Sequence, residues 1–550
     1  MRRPEDYPPN LVQSMTALLR TPDGQQELRE TQAKALWDLG THRRGFFPIS
    51  VGVGKTLITF LAPRVLEAKR PVLLIPAALV EKTEREWRAS AKHWRIAKHL
   101  QFLSYELAGR VSGAQRLELL QPDLIIADEM FRLKNPRAAV TRRVMRYMAH
   151  HPQTVFVPLG GSIFKDSIRD FAHLMQCALG PSSTVPHFAM NLAEWADALD
   201  EDANPLTRRS PGVLFQLIDG VEDPDLGKDP PGQARRVFNA RMNATAGVVS
   251  AQAADGYDGS LAISALEYPV NAATEANFRT LRTTMCRPDG WALSEAMQAW
   301  SVARQLALGL HYFWDPSPED AWLEARKRWA RFVRDQLGDP KNHRYDSELQ
   351  VANAVTAGEL EDDGLLAAWR EIRPTFTINS QPRWHDDAAL RVSADWLKFH
   401  PRGICWVEHR HFARELSKRS GVTYYGARGY DESGTRFVED HDKGAIILSI
   451  AANSQGRNLQ HWWCENLVTA PPSDSERWEQ LIARTHRPGQ RADCVTVEVL
   501  VACREHQESI PRALASADVK LDLLGFRQKL RIADLTWPQL PRTTGSFRWE

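Results

Sequence analysis

An α/β fold is what this sequence predicts: two tandem domains, each a mostly parallel sheet with flanking helices, joined through a helical insertion. Three observations carry that expectation. Short continuous apolar runs recur between helical patterns, as strands buried on both faces require. The runs fall into two groups, residues 72–75, 124–127 and 155–157, then 404–407, 446–448, 467–469 and 495–501. Between the groups, residues 181–384 change character, and 275–282, 294–310 and 318–337 read as helices. Alternation of strands and helices argues for parallel sheets wound by right-handed crossovers.

The boundaries that follow are an N-terminal flank (1–24), a first α/β domain (25–180), a mainly helical linker or protrusion (181–384), a second α/β domain (385–510), and a C-terminal helix and tail (511–550). A length of 550 residues suits several domains, each with its own core. Residues 220–231, rich in glycine, proline and aspartate, read as a loop, and the tail from Thr536 as a docking strap or a disordered end. Trp322 and Trp329 lie seven apart on one helix face, a spacing that favours core over base stacking.

Composition narrows the class. Apolar residues are 43% and charged residues 25%, ordinary for a globular chain, and the formal net charge of +2 excludes a strongly basic nucleic-acid coat. Any nucleic-acid surface must come from local clusters, either Arg142, Arg143 and Arg146 or Arg326, Lys327, Arg328 and Arg331; a solvated helix face is the alternative for each. No cysteine pair has the two-residue spacing of zinc or redox sites, so the six read as reduced thiols of a cytoplasmic protein. No segment approaches a membrane span, and the N-terminus does not read as a secretory signal.

The densest chemistry lies in Ser50-Val51-Gly52-Val53-Gly54-Lys55-Thr56. Gly52 and Gly54 let successive N–H groups, with that of Val53, point at one anion. Lys55 adds a mobile positive charge, and Thr56 a hydroxyl for hydrated magnesium. Residues 57–62 read as a helix whose N-terminus faces the phosphates. A full phosphate-loop pattern has a further glycine where Ile49 stands, so a plain strand-to-helix turn is the alternative. Asp128 and Glu129 follow the 124–127 run at the strand end where ligands bind in open α/β sheets. The first acid can hold magnesium and the second can accept a proton from water; a helix N-cap is the bland alternative. Near the far end, Gln480, Arg484 and Arg487 are spaced four and three apart, one face of a helix. Two guanidiniums there invite an anion, and a transferring phosphoryl group is one; a solvated basic helix face is the alternative.

Taken in order, these segments resemble the core of superfamily-two helicases, in the Swi/Snf-type branch of double-stranded DNA translocases. Leu28-Arg29-Glu30-Thr31-Gln32-Ala33 is similar to the family's glutamine motif, which implies that Gln32 reads adenine. Val51 to Thr56 resembles that branch's phosphate loop, and Asp128 to Asn135 its acidic box and tail. Leu159-Gly160-Gly161-Ser162-Ile163 resembles the third motif, with Phe171 and Leu174 on the helix after it. Ser449, Ala452, Gly456, Asn458 and Leu459 resemble the fifth motif, and Gln480 to Gln490 the sixth. Departures are Met130 and Phe131 for alanine and histidine, Ser162-Ile163 for threonine-proline, and Asn453-Ser454 for two glycines.

The resemblance implies two tandem RecA-like lobes and an ATP-hydrolysing enzyme with magnesium as cofactor. Lys55, Asp128 and Glu129 would come from one lobe, and Gln480, Arg484 and Arg487 from the other. Its nucleic-acid partner would be duplex DNA, touched at Pro76, Ser104, Tyr105, Ala452, Asn453 and Asn458. A strand-separating DNA or RNA helicase, and a non-catalytic scaffold with a degenerate motor, are the alternatives.

Overall fold

The computed structural model describes residues 7–50, 53–161, 167–200, 230–251, 259–291, 293, 296–338, 345, 348–437, 444–454 and 456–538. The chain divides into two compact units, and each is α/β around a parallel sheet.

Unit 1 comprises Met1–Ala254, Ala321–Arg373 and Asp518–Phe526. Its strands are β1 (Phe47–Pro48), β2 (Pro71–Ile75), β3 (Gln101–Ser104), β4 (Leu124–Asp128) and β5 (Val155–Gly160), in the order β1-β5-β4-β2-β3. Every pairing is parallel, with Leu74 opposite Ala127 and Ile75 opposite Ser104. Apolar runs form these strands because both faces are covered. Leu73, Ile75, Leu124 and Ile126 enter one core, while Val72, Leu74, Ile125 and Ala127 enter the other. Residues 46–49 also bridge in parallel to 248–251, through Phe46 with Val248 and Ile49 with Ala251.

The Ala321–Arg373 segment of this unit is helical. Trp322 and Trp329 are buried as their spacing predicts; Trp322 meets Trp369 edge-on at 5.3 Å, and Trp329 Nε1 donates to Glu348 Oε1 at 2.7 Å. Arg326, Lys327, Arg328 and Arg331 stay on the exposed face. The other basic cluster departs from expectation: Arg143 is buried, and Arg142 donates to the Tyr345 carbonyl. The apolar stripe of the helix Ala139–His150 includes Val144 and Tyr147, and it draws Arg143 inward with it.

Unit 2 comprises Asp255–Asp320, Pro374–Ala517 and Arg527–Glu550. Its strands are β6 (Ser260–Glu267), β7 (Leu310–Trp314), β8 (Ser380–Trp384), β9 (Gly403–Val407), β10 (Tyr424–Tyr425), β11 (Ile446–Ser449), β12 (Glu465–Val468), β13 (Cys494–Val501) and β14 (Asp534–Thr536). Seven form a parallel sheet ordered β10-β11-β9-β12-β13-β6-β14, and β7 and β8 form a separate antiparallel ribbon. Two strands of the parallel sheet come from outside the interval expected for this domain. β6, from within the expected helical linker, pairs with β13 along its whole length, and β14 comes from the expected tail. The expected helix at 294–310 is the helix Ala296–Ala307, and Leu310 opens β7 instead. Of the loop expected at 220–231, residues 220–229 lie outside the described residues, whereas Pro230 and Pro231 open the helix Pro230–Asn243. The described part of the tail reaches Trp537, whose Nε1 donates to the Gln507 carbonyl at 2.9 Å.

Unit 2 carries two fully buried histidines, His311 and His506. Burial, helped by the nearby His385, holds His311 down to about 4, and burial, helped by Arg304, holds His506 down to about 3. In the unfolded chain both titrate near the ordinary histidine value, about 6.5. Their native values are depressed, so the stability present above that value is lost as pH falls toward 4 and then 3. Each should remove about 2 kcal/mol between pH 7 and pH 5. Denaturant midpoints at the two pH values should therefore differ less in His506→Leu than in the wild type; an equal difference would count against this account.

Among the described residues no helix is long and apolar enough to cross a membrane. All six cysteines are free thiols.

Candidate functional site

The carboxyl ends of the unit 1 strands hold most of the residues singled out above. After β1 the chain turns into the helix Lys55–Val65, with Gly54 as its N-cap at φ 88°. Gly54 is required twice: its φ is left-handed, and a Cβ there would lie 2.3 Å from Gln32 Nε2. Its N-cap is a glycine, so among the described residues no N-cap side chain bonds its first N–H groups, although Leu57 N donates to the Gly54 carbonyl at 3.2 Å. Val51 and Gly52 lie outside the described residues, as do Ser162 and Ile163 of the third motif.

Gln32 sits behind the loop on the helix Glu30–His42. Its Oε1 accepts from Arg29 N at 2.8 Å, and its Nε2 donates to the Gly54 carbonyl at 3.0 Å. It is 4% exposed, so its amide braces the turn before Lys55. The opposite end of the same helix lines a cavity of about 670 Å³ with Trp37, Asp38 and His42. That cavity shares no residue with the loop.

Lys55 is the centre of the site. Its ammonium is buried, and among the described residues Nζ has no hydrogen-bond acceptor. Glu129 Oε1 lies 3.8 Å from it, an ion pair beyond hydrogen-bond reach. A buried cation held short of its partner leaves room for an anionic oxygen. Glu129 has left-handed backbone at φ 58° and ψ 53°, a conformation that costs a non-glycine residue about 1–2 kcal/mol. Strain of this kind clusters at working sites. Asp128, at the end of β4, accepts from Glu129 N at 3.0 Å. Burial and the Glu129 charge push its carboxyl up to about 6, against the pull of Lys55.

Among the described residues no cluster of three or more His, Cys, Asp or Glu could hold a metal, but magnesium needs few protein ligands and keeps waters and phosphate oxygens. Thr56 and Asp128 are the groups that would take it.

Of the expected nucleic-acid contacts in unit 1, Ser104 is half-buried and its Oγ accepts from Leu107 N at 3.1 Å. Pro76 and Tyr105 are buried and are not surface contacts. The turn beyond Pro76 folds back over it, and the Tyr105 ring enters the core while its hydroxyl donates to the Asp128 carbonyl at 2.7 Å.

In unit 2 the sixth-motif residues differ from expectation. The helix spans Ser475–Ile482 and ends before both arginines, so Gln480, Arg484 and Arg487 do not share a helical face. Arg484 ends it: Nε donates to the Gln480 carbonyl at 2.9 Å and Nη1 to the Arg457 carbonyl at 3.0 Å. Only 4% exposed, this guanidinium ties the turn together. Arg487 is half-buried, and its Nη1 donates to Asn458 Oδ1 at 3.1 Å. Gln480 Nε2 donates to Glu476 Oε1 at 2.9 Å.

Asn453 is fully buried, which removes it from the surface contacts. Its Nδ2 donates to the Tyr425 carbonyl at 3.0 Å, and its Oδ1 accepts from Arg457 Nη2 at 3.1 Å. These bonds fasten the turn after β11. Ala452 and Asn458 remain half-buried. Sequence reasoning missed Arg457, which links Asn453 and Arg484. Its only signal was its place beside Gly456.

Compared with models of known protein families and with curated proteins, the chain matches none.

Proposed function

We propose that this chain is an ATP-dependent nucleic-acid motor of the superfamily-two helicase type, in its Swi/Snf-like branch, with two RecA-like lobes acting on duplex DNA. The observation that carries the reading is the buried Lys55 ammonium at an uncapped helix N-terminus, 3.8 Å from Glu129 at the end of a neighbouring strand. A structural lysine would hydrogen-bond its carboxylate. This one is held for a third, anionic group, which a helix N-terminus also favours.

In this reading the turn ending at Gly54, with Lys55, holds the β- and γ-phosphates, and Gln32 fixes the turn's shape from behind. Magnesium, when bound, neutralises phosphate charge. Glu129 orients and deprotonates the attacking water, a role suited to a carboxylate on a strained turn beside a cation. Arg487 takes the part of stabilising charge on the transferring phosphate, by its place in the sixth motif. Arg484 holds the turn that presents it. DNA preference rests on the motif order alone.

ATP turnover measured with duplex DNA, single-stranded DNA and RNA, at one salt concentration, separates the motor classes. Duplex should stimulate most. Stimulation by single strands alone would instead favour a strand-separating helicase.

A further inference from the structure

The turns that follow β2, β3 and β4 are joined by two adjacent side chains. Ser104 closes β3 opposite Ile75 of β2, and its Oγ caps the helix Tyr105–Ala108. From that helix the exposed Glu106 reaches one way, its Oε2 accepting from Ala77 N at 2.9 Å in the turn after β2. The buried Tyr105 reaches further the same way, past β2 to β4, and its hydroxyl donates to the Asp128 carbonyl at 2.7 Å. Two strand spacings, about 10 Å, separate β3 from β4. A tyrosine with a hydrogen bond at its tip spans that; a shorter side chain does not.

We propose that Tyr105 is a positioning residue that couples nucleic-acid engagement at the turns after β2 and β3 to the setting of the Asp128–Glu129 pair. The inference rests on the motor reading above. Its atoms supply a path with one exposed and one buried end. Glu106 and Ala77 are exposed, so this braced turn can be reached from solvent. The Asp128 carbonyl belongs to the peptide that enters Glu129, whose left-handed φ of 58° places its carboxylate beside Lys55. A shift of the Tyr105 helix therefore tilts that peptide and moves the Glu129 carboxylate.

Tyr105→Phe deletes the hydroxyl and keeps the buried ring. In the full-length protein, ATP turnover with and without saturating duplex should show the stimulated-to-unstimulated ratio falling about tenfold. Duplex affinity by anisotropy and the thermal midpoint should stay near wild type. Glu106→Ala should act in the same direction from the exposed end, with Glu106→Gln, which keeps an acceptor, restoring much of the ratio. An unchanged ratio in Tyr105→Phe overturns the proposal, and so does a loss of ratio that only follows a loss of duplex affinity. A wild type stimulated by no nucleic acid overturns the motor reading, and the coupling with it.

Discussion

Lys55→Ala should bring ATP hydrolysis below about one per cent of the wild-type rate while the fold survives. Both halves follow from the same geometry. The ammonium is buried at the start of the helix Lys55–Val65 and, among the described residues, finds no hydrogen-bond acceptor. Phosphate charge that develops during transfer would be met there by a cation in a site of low dielectric, where such stabilisation is largest. Truncation removes it. The partner of Lys55, Glu129, is only partly buried and can be solvated, so loss of the cation should lower the thermal midpoint only modestly. Turnover near the wild-type rate would take the phosphate role away from this loop.

Arg487→Ala should cut turnover about a hundredfold or more while nucleotide affinity stays within a few-fold of wild type. Arginines of this kind act on charge that appears only in the transition state, so the loss belongs in kcat. Arg484→Ala should behave differently. That guanidinium donates to the carbonyls of Gln480 and Arg457, and leaving both buried acceptors unpaired costs about 1–3 kcal/mol each. Its variant should therefore lose stability in denaturant titrations, with activity following the fold. If Arg484→Ala were stable but inactive and Arg487→Ala fully active, the two assignments would have to be exchanged.

Much of the architecture was legible because strands buried on both faces leave a simple trace. Residues 72–75 and 124–127 are continuous apolar runs, and they became the centre of the first sheet. β6 left no such trace. Its sequence, Ser260–Glu267, is rich in serine and alanine, and its register is held by the long β13 beside it, a tertiary effect that no local pattern records. β14 is a three-residue edge strand, too short to show periodicity.

The site divides in the same way. Lys55 and the Asp128–Glu129 pair were readable because their chemistry depends on residue type at strand ends. The helical spacing of Gln480, Arg484 and Arg487 misled because periodicity cannot tell where a helix stops. The Arg484 side chain bonds the Gln480 carbonyl in its last turn. Tyr105 and Asn453, expected at the surface, are buried because each bonds a backbone carbonyl on a neighbouring turn. Such bonds depend on which turns meet, and that is set only by the assembled sheet.

The most direct measurement is magnesium-dependent ATP turnover by the wild-type protein, first alone and then with saturating duplex DNA, at a fixed low salt concentration. The account predicts slow turnover that rises at least about tenfold with duplex. A folded protein that hydrolyses no ATP in either condition would contradict it.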